Sequence, residues 1–412
     1  MSGLIPLLDV LLAERNAGRE AVLATVVKVD GSAYRRPGAR MLVSRFGRPE
    51  GTISGGCLEA EVARKAWWLT ETGPALRSYS TSEADEGSEE ALSFGLGCNG
   101  KVHVLFERLP ASGPCALITA LLGVRDTQQP AAIATVIASP ADGSHRLGDR
   151  LLLVSGQSAE GELLQSALAE QIRSDLQQTL VRGKSSRYLY PNGTDKIEVL
   201  MEYLPPVRRL VVFGAGHDAQ PLVRMAKLLG WHVTIIDGRS HFARAERFPD
   251  ADQVLVGDVE QPFAYRELVR GAAVAVMTHS LAQDAHWLQG VLHSEPCYVG
   301  QLGPRERTER LLAGIHEQKG ELPGLACLHY PIGLDLGCDT PESVAMAMLA
   351  EIQAVLNGRN GGSLRFRSAS IHDSDPVLIA SETETEIAFA AAGLSAVRRA
   401  ALTTDQPRNL SA

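Results

Sequence analysis

The stretch at residues 208–237, RRLVVFGAGHDAQPLVRMAKLLGWHVTIID, constrains this chain more than any other. An apolar run at 210–213 is short enough for a buried parallel strand. Gly214-Ala215-Gly216 turns the chain, and a helix follows with Leu222, Met225, Ala226 and Leu229 on one face. Gly230 stops that helix, a second apolar run occupies 233–236, and Asp237 ends it. Gly214 allows the tight turn, Gly216 lets backbone approach a phosphate, and Ala219 fills the third small position where helix packs on strand. The helix start offers free N–H groups and a positive dipole end to an anion, with His217 beside them. Asp237 stands 23 residues after Gly214, near the spacing expected of an acid that binds ribose hydroxyls. Two readings stay open: a Rossmann half that binds a nucleotide or other phosphorylated ligand, and a Rossmann scaffold whose turn holds nothing. Asp218, in the first helical turn, favours the dipole but repels a phosphate.

At 412 residues the chain has room for two or three domains. Its net charge of −8 and lack of a long basic stripe exclude nucleic acid as the main partner. The first residues lack a basic n-region and carry Asp9 and Glu14, unlike a secretory signal. No apolar stretch reaches membrane-spanning length. Six scattered cysteines without a C-x-x-C pair fit reduced thiols, so the expected location is the cytoplasm.

Taken in order, 4–17 reads as a helix and 21–29 as a strand. Arg35, Arg36 and Arg40 then place three cations around Pro37-Gly38. Ser54-Gly55-Gly56-Cys57 leads into a helix over 58–72. Cys57 is either a thiolate favoured by that helix start and by the arginines, or a small cysteine closing a glycine turn. Phe94-Gly95-Leu96-Gly97-Cys98-Asn99-Gly100 is a second glycine–cysteine cluster, read as a ligand loop or as a β-bulge with a buried thiol; the acidic stretch 80–90 before it is expected to be a loop. Residues 115–192 look like an insertion or second lobe, with a turn at 142–144, a helix over 163–180 and no visible chemistry.

Beyond residue 206 the α/β rhythm continues. Thr278-His279, Gly303 and Arg305 follow further strands, and with Asp237 they would share the carboxyl edge of the sheet, where open α/β sheets bind ligands. Asp335 lies between two glycines, and Asp284 either orients a loop or faces solvent. Arg307 and Arg310 read as a solvated helix face. The fold class expected is α/β: a mixed N-terminal domain over 1–110, a middle lobe over 111–206 completing it or inserted in it, and a Rossmann-like, doubly wound parallel sheet over 207–357. Residues 358–412 read as a disordered tail with a short helix at 386–399.

Seven stretches in order carry a resemblance: GSAYRRPGARMLVS, GTISGGCLE, FGLGCNG, RLVVFGAGHDAQPLVRMAKLLGWHVTIID, MTHSLAQDAHWL, YVGQLGPRERTERL and PIGLDLGCDTPESVAMAMLAEI. Over residues 20–357 the chain resembles the XdhC/CoxI family, accessory proteins of xanthine dehydrogenase and carbon monoxide dehydrogenase. The resemblance implies an XdhC/CoxI N-terminal domain and a chaperone that binds the molybdenum cofactor, a molybdopterin in mononucleotide or dinucleotide form. It implies that the cofactor is protected, sulfurated with a cysteine desulfurase, and inserted into a molybdenum hydroxylase, and that the chain self-associates. Asp218 and Cys338 depart from the family's usual apolar and small residues.

On this reading the helix start after Gly216 takes the phosphate, Arg35, Arg36 and Arg40 take anionic oxygens, and Cys57 and Cys98 face the soft metal. Two competing readings stand beside it. One is an NAD(P)- or nucleotide-dependent oxidoreductase, which the lack of a hydride-transfer constellation disfavours. The other is a scaffold with an empty turn, bridging a sulfurase and a dehydrogenase.

Overall fold

The computed structural model describes residues 4–31, 33–80, 92–93, 100–140, 145–192, 195–319, 322–368 and 377–379. The acidic stretch 81–91, the loop 94–99 with Cys98, the turn at 142–144 and the helix expected at 386–399 lie outside them.

The apolar run before Gly214 becomes the strand Arg209–Phe213, with His232–Asp237 and Ala273–Val276 as parallel neighbours. Gln253–Val256 extends one side, and Tyr298–Gln301 then Leu328–His329 extend the other. In chain order within this sheet the strands lie 3-2-1-4-5-6, the doubly wound Rossmann order. Helices Ala219–Leu228 and Pro341–Leu356 bury Leu222, Ala226, Met348 and Ile352 on one face. Leu281–Leu292 and Arg305–Lys319 cover the other with Trp287, Leu288 and Leu311. Each buried Leu, Ile or Met among them contributes about 1.5–3 kcal/mol of transfer free energy. Leu229, expected on the buried face, is 41% exposed, because the helix ends at Leu228 and the chain reverses at Gly230 (φ 72°).

Upstream, the chain folds the same unit twice. The first sheet runs Glu50–Gly51, Arg40–Ser44, Ala21–Gly31, Gly100–Leu109, Ala75–Ser80, Leu92–Ser93. The second runs Arg150–Val154, Ala131–Ala138, Asp195–Leu204, Ser186–Asn192, Val377–Ile379. Thr25 pairs with Leu105 as Thr135 pairs with Leu200, and both long pairings carry a register shift near the same point. Leu42 faces Glu50 as Leu152 faces Glu160. Up to the second helix of each unit the offset is a constant 110 positions: Gly38 to Gly148, Arg40 to Arg150, Gly51 to Gly161. The middle lobe is therefore a second copy of the first. Its expected helix over 163–180 is broken into a 3-10 turn, Glu162–Gln165, and the helix Ala169–Arg182. The tail is not wholly irregular either: Val377–Ile379 pairs in parallel with Ser186–Asn192.

The copies lock together reciprocally. Arg40 of the first lobe donates to Glu202 Oε2 of the second at 2.6 Å, and Arg150 of the second donates to Glu107 Oε1 of the first at 2.7 Å. Val27 and Leu105 meet Ile137 and Leu200 in one cluster. Helices Leu4–Asn16 and Ala116–Thr127 share another.

Candidate functional site

In the first lobe the segment from Gly51 to Glu59 is organised by one carboxylate. Glu59 Oε1 accepts from Thr52 Oγ1 (2.5 Å), Ser54 N (2.9 Å) and Ile53 N (3.2 Å), and Oε2 accepts from Ser54 Oγ (2.5 Å). Burial alone would push this carboxyl up, but the Ser54 and Thr52 bonds outweigh it and hold the group at about 2. Ser54 Oγ in turn accepts from Gly56 N and Leu58 N. The Cys57 thiol donates to the same oxygen at 3.2 Å. Gly56 has φ 116°, a conformation that favours glycine. Cys57 stands half-buried, just before the N-cap of the helix Glu59–Leu69.

Part of the basic loop does fold onto this turn. A Cβ at Gly55 would lie 3.8 Å from the Tyr34 ring, and the Arg35 guanidinium lies 5.9 Å from that ring's centre. Tyr34 is 72% exposed, whereas Arg35 Nε is buried without a hydrogen-bond partner. The Arg36 carbonyl accepts from Ala39 N and closes the loop. Arg40 corrects its expectation: its side chain is 2% exposed and ion-paired with Glu202, so it has no face to offer an anion. A charge at that depth is kept by its partner.

At the carboxyl edge of the third sheet, Gly214 is packed so closely that a Cβ would lie 2.5 Å from Met277 O. Asp237 is fully buried. Its Oδ2 accepts from Ala215 N (2.7 Å) and Arg239, and its Oδ1 accepts from Arg239 N and Nε. Burial pushes this carboxyl up, yet the Arg239 and Ala215 bonds hold it below its ordinary value. With both oxygens taken, Asp237 ties the glycine turn to the sheet and has no free oxygen facing a ribose. The Asp218 carboxylate covers Gly216 and pairs with His279 Nε2 at 2.8 Å. His279 itself is left-handed (φ 61°) and 63% exposed at the side chain. His217 is exposed.

Thr278 Oγ1 donates to Asp284 Oδ1 at 2.5 Å, and Gln301 Nε2 donates to Asp284 Oδ2 at 2.9 Å. Arg307 completes the set with an ion pair of 2.7 Å to Asp284, whose side chain is wholly buried. Arg307, expected on a solvated face, is instead 17% exposed and lies under Gly303 (φ 122°). Arg305 is exposed and stacks over Tyr330; Asp335 is exposed. Two residues apart on a helix, Arg305 and Arg307 point in different directions, a distinction carried only by the 3.6-residue period. Cys338 donates to Ser343 O at 3.1 Å. Among the described residues no hydrogen bond or ion pair joins 52–59 to 214–218.

The Asp218 carboxylate thus sits where a dinucleotide's phosphates would approach. Asp218→Ala is expected to raise the affinity for NADH roughly fivefold by removing the repulsive charge from the helix start. Titration by NADH fluorescence checks this, and an unchanged affinity would show that Asp218 does not govern the turn.

The family model of the XdhC Rossmann domain matches residues 210–352, and that of the XdhC and CoxI family matches residues 14–80. A Bacillus subtilis (strain 168) protein, named as a probable subunit of xanthine dehydrogenase, is 32% identical over 348 residues, 84% of this chain and 95% of its own length. The molybdenum cofactor insertion chaperone PaoD of Escherichia coli (strain K12) is 23% identical over 339 residues, 82% of this chain and 84% of that protein. A crystal structure titled as a xanthine dehydrogenase from Bacillus halodurans aligns with TM-score 0.67 and 28% identity, covering 86% of this chain and 97% of that one.

Proposed function

The chain belongs to the XdhC and CoxI family, and on that premise we propose that it carries the molybdenum cofactor as cargo and delivers it to a molybdenum hydroxylase. In this reading the protein protects the cofactor, presents it for sulfuration by a cysteine desulfurase, and inserts it into a xanthine dehydrogenase-type client. The relative named as a molybdenum cofactor insertion chaperone supports the reading.

One observation carries it. The second lobe rebuilds the first, with the same glycines and the same buried arginine and glutamate, yet replaces Ser54-Gly55-Gly56-Cys57 by Leu164-Gln165-Ser166-Ala167. The segment between strand pairing and helix therefore needs no Gly-Gly-Cys to fold. In the first lobe these residues stand beside an exposed aromatic ring and a guanidinium with an unpaired buried Nε. That set suits the cargo: a thiol for a soft metal, a flat ring for a pterin, a cation for anionic oxygens. The protein's part is to bind and shield. Tyr34 and Arg35 orient the flat anionic body, and Cys57 meets its metal end. Self-association belongs to the same proposal, since the Rossmann edge and the Cys57 turn share no contact of the kind described above.

The NAD(P)-dependent oxidoreductase draws no support from the glycine turn, where Asp218 lies over Gly216 and Asp237 is already saturated. Molybdenum and oxidised-pterin analysis of purified protein tests the cargo reading. Cys57→Ser is expected to retain at least about tenfold less cofactor at unchanged thermal stability. Equal retention by wild type and variant would overturn the thiol's role.

A further inference from the structure

The edge of the Rossmann sheet opposite Gly214 holds a cavity of about 740 Å³ between the second lobe and the strand starts. That volume lies in the range of small-molecule sites. Gln128 and Tyr203 come from the second lobe, and Arg208, Arg209, Trp231 and Cys297 from the Rossmann domain. Among the described residues no lining residue is acidic, in a chain whose net charge is −8.

Among the described residues the two arginines have only neutral hydrogen-bond partners. Arg208 donates to the side-chain oxygens of Gln353 and Asn357, and Arg209 donates to the backbone carbonyls of Glu267 and Arg270. Neither forms an ion pair among the described residues, whereas neighbouring Arg270 has both Glu267 and Glu295. Most buried or half-buried arginines elsewhere, such as Arg40, Arg150 and Arg307, have a carboxylate. Burial pulls the Arg208 guanidinium below its ordinary value, as expected of a cation lacking its counter-ion. The side chains of Leu229, Leu356 and Val207 supply an apolar wall.

We propose that this cavity binds a small phosphomonoester with an aromatic or apolar body, its phosphate held by Arg208 and Arg209. Two guanidinium forks match phosphate oxygens in geometry and charge. The apolar wall and the Tyr203 ring take the body. The site is distinct from the Cys57 turn and does not depend on the cargo reading.

Cys297, exposed in the same wall, reports on occupancy. Its alkylation by N-ethylmaleimide, mapped by peptide mass, is measured against AMP, adenosine and inorganic phosphate. AMP is expected to protect Cys297 saturably, adenosine not at all, and inorganic phosphate at least about tenfold more weakly than AMP. Arg208→Gln with Arg209→Gln is expected to raise the AMP concentration for half-protection at least about tenfold. Should that variant fail to fold, the reciprocal measurement decides: prior alkylation of Cys297 in the wild type abolishes AMP binding by calorimetry, and the same treatment of Cys297→Ala does not. Absence of protection at millimolar AMP, equal protection by adenosine or by inorganic phosphate, or AMP binding that survives alkylation of Cys297 would each overturn the proposal.

Discussion

Glu202→Ala is expected to destabilise the paired lobes by about 3–5 kcal/mol, because it strands the Arg40 guanidinium in a site that water does not reach. The side chains of Arg40 and Glu202 are 2% and 5% exposed. Arg40 also donates to Gly38 O, but its Nε is buried without a partner, and among the described residues no second carboxylate stands ready. The pseudo-symmetric change, Glu107→Ala, is expected to cost as much, since it strands Arg150 in the same way. Burial lowers the Arg150 guanidinium, yet Glu107 outweighs it and holds the group above its ordinary value. Replacing both members of a pair, as in Arg40→Met with Glu202→Leu, is expected to recover most of the loss, because no unpaired charge remains. Urea unfolding followed through Trp67 and Trp68 in the first lobe reads these differences.

The two pairs differ in what they hold. Glu202 lies against Gly38, where a Cβ would come within 2.7 Å of its Oε1, and Gly38 ends the loop that carries Tyr34, Arg35 and Arg36. Glu107 meets Gly148 at 2.6 Å in the same manner, but the second lobe lacks the Gly-Gly-Cys turn. Conservative changes therefore separate fold from function. Glu202→Gln is expected to lower cofactor retention more than Glu107→Gln at a matched loss of stability. Equal effects on retention would mean that the first pair only holds the lobes together.

The Rossmann half was legible in the sequence because its signals are local: an apolar run, a glycine turn, a helical period and an acid follow one another within 30 residues. The duplication was not. Its shared residues, Gly38 and Gly148, Arg40 and Arg150, Gly51 and Gly161, sit among unlike loop residues, and the stretch before Gly100 changes the spacing to the last strand of the unit. Arg35, Arg36 and Arg40 look alike as letters. Only the strand that starts at Arg40, buried along all five residues, shows that this one faces inward. Asp284 reads equally as a loop-orienting or a solvent-facing residue until the fold brings Thr278, Gln301 and Arg307 to it from three other segments. The role of Asp237 changed for the same reason: its spacing from Gly214 is as expected for a ribose ligand, but Arg239 takes its oxygens. Spacing places an atom at an edge, and the neighbours decide whether it is free.

Glu59 gives the second large effect, and its pH dependence has a definite sign. The ordinary value for this carboxyl is 4.5 and the folded protein holds it at about 2. A carboxyl lowered on folding adds stability that is fully present above the unfolded value and is lost as pH falls through the folded one. The contribution is therefore whole at neutral pH, declines below about 4.5 and is gone near 2. At about 1.4 kcal/mol per unit, and allowing for water at the edge of a half-buried turn, it amounts to about 2 kcal/mol. Glu59→Gln is expected to lose that amount at pH 7 and to unfold in acid with a shallower pH slope than the wild type, read as the urea midpoint between pH 7 and 3. The loss has a functional side. Glu59 accepts from Thr52, Ile53 and Ser54, and Ser54 in turn receives Gly56, Cys57 and Leu58, so one carboxylate fixes where the thiol stands. With a carboxamide there, Ser54 Oγ loses its acceptor and the turn loses its shape. Cofactor retention should then fall although Cys57 and Arg35 are intact; full retention in Glu59→Gln, with the acid slope made shallower, would mean that the turn's shape is not what holds the cargo.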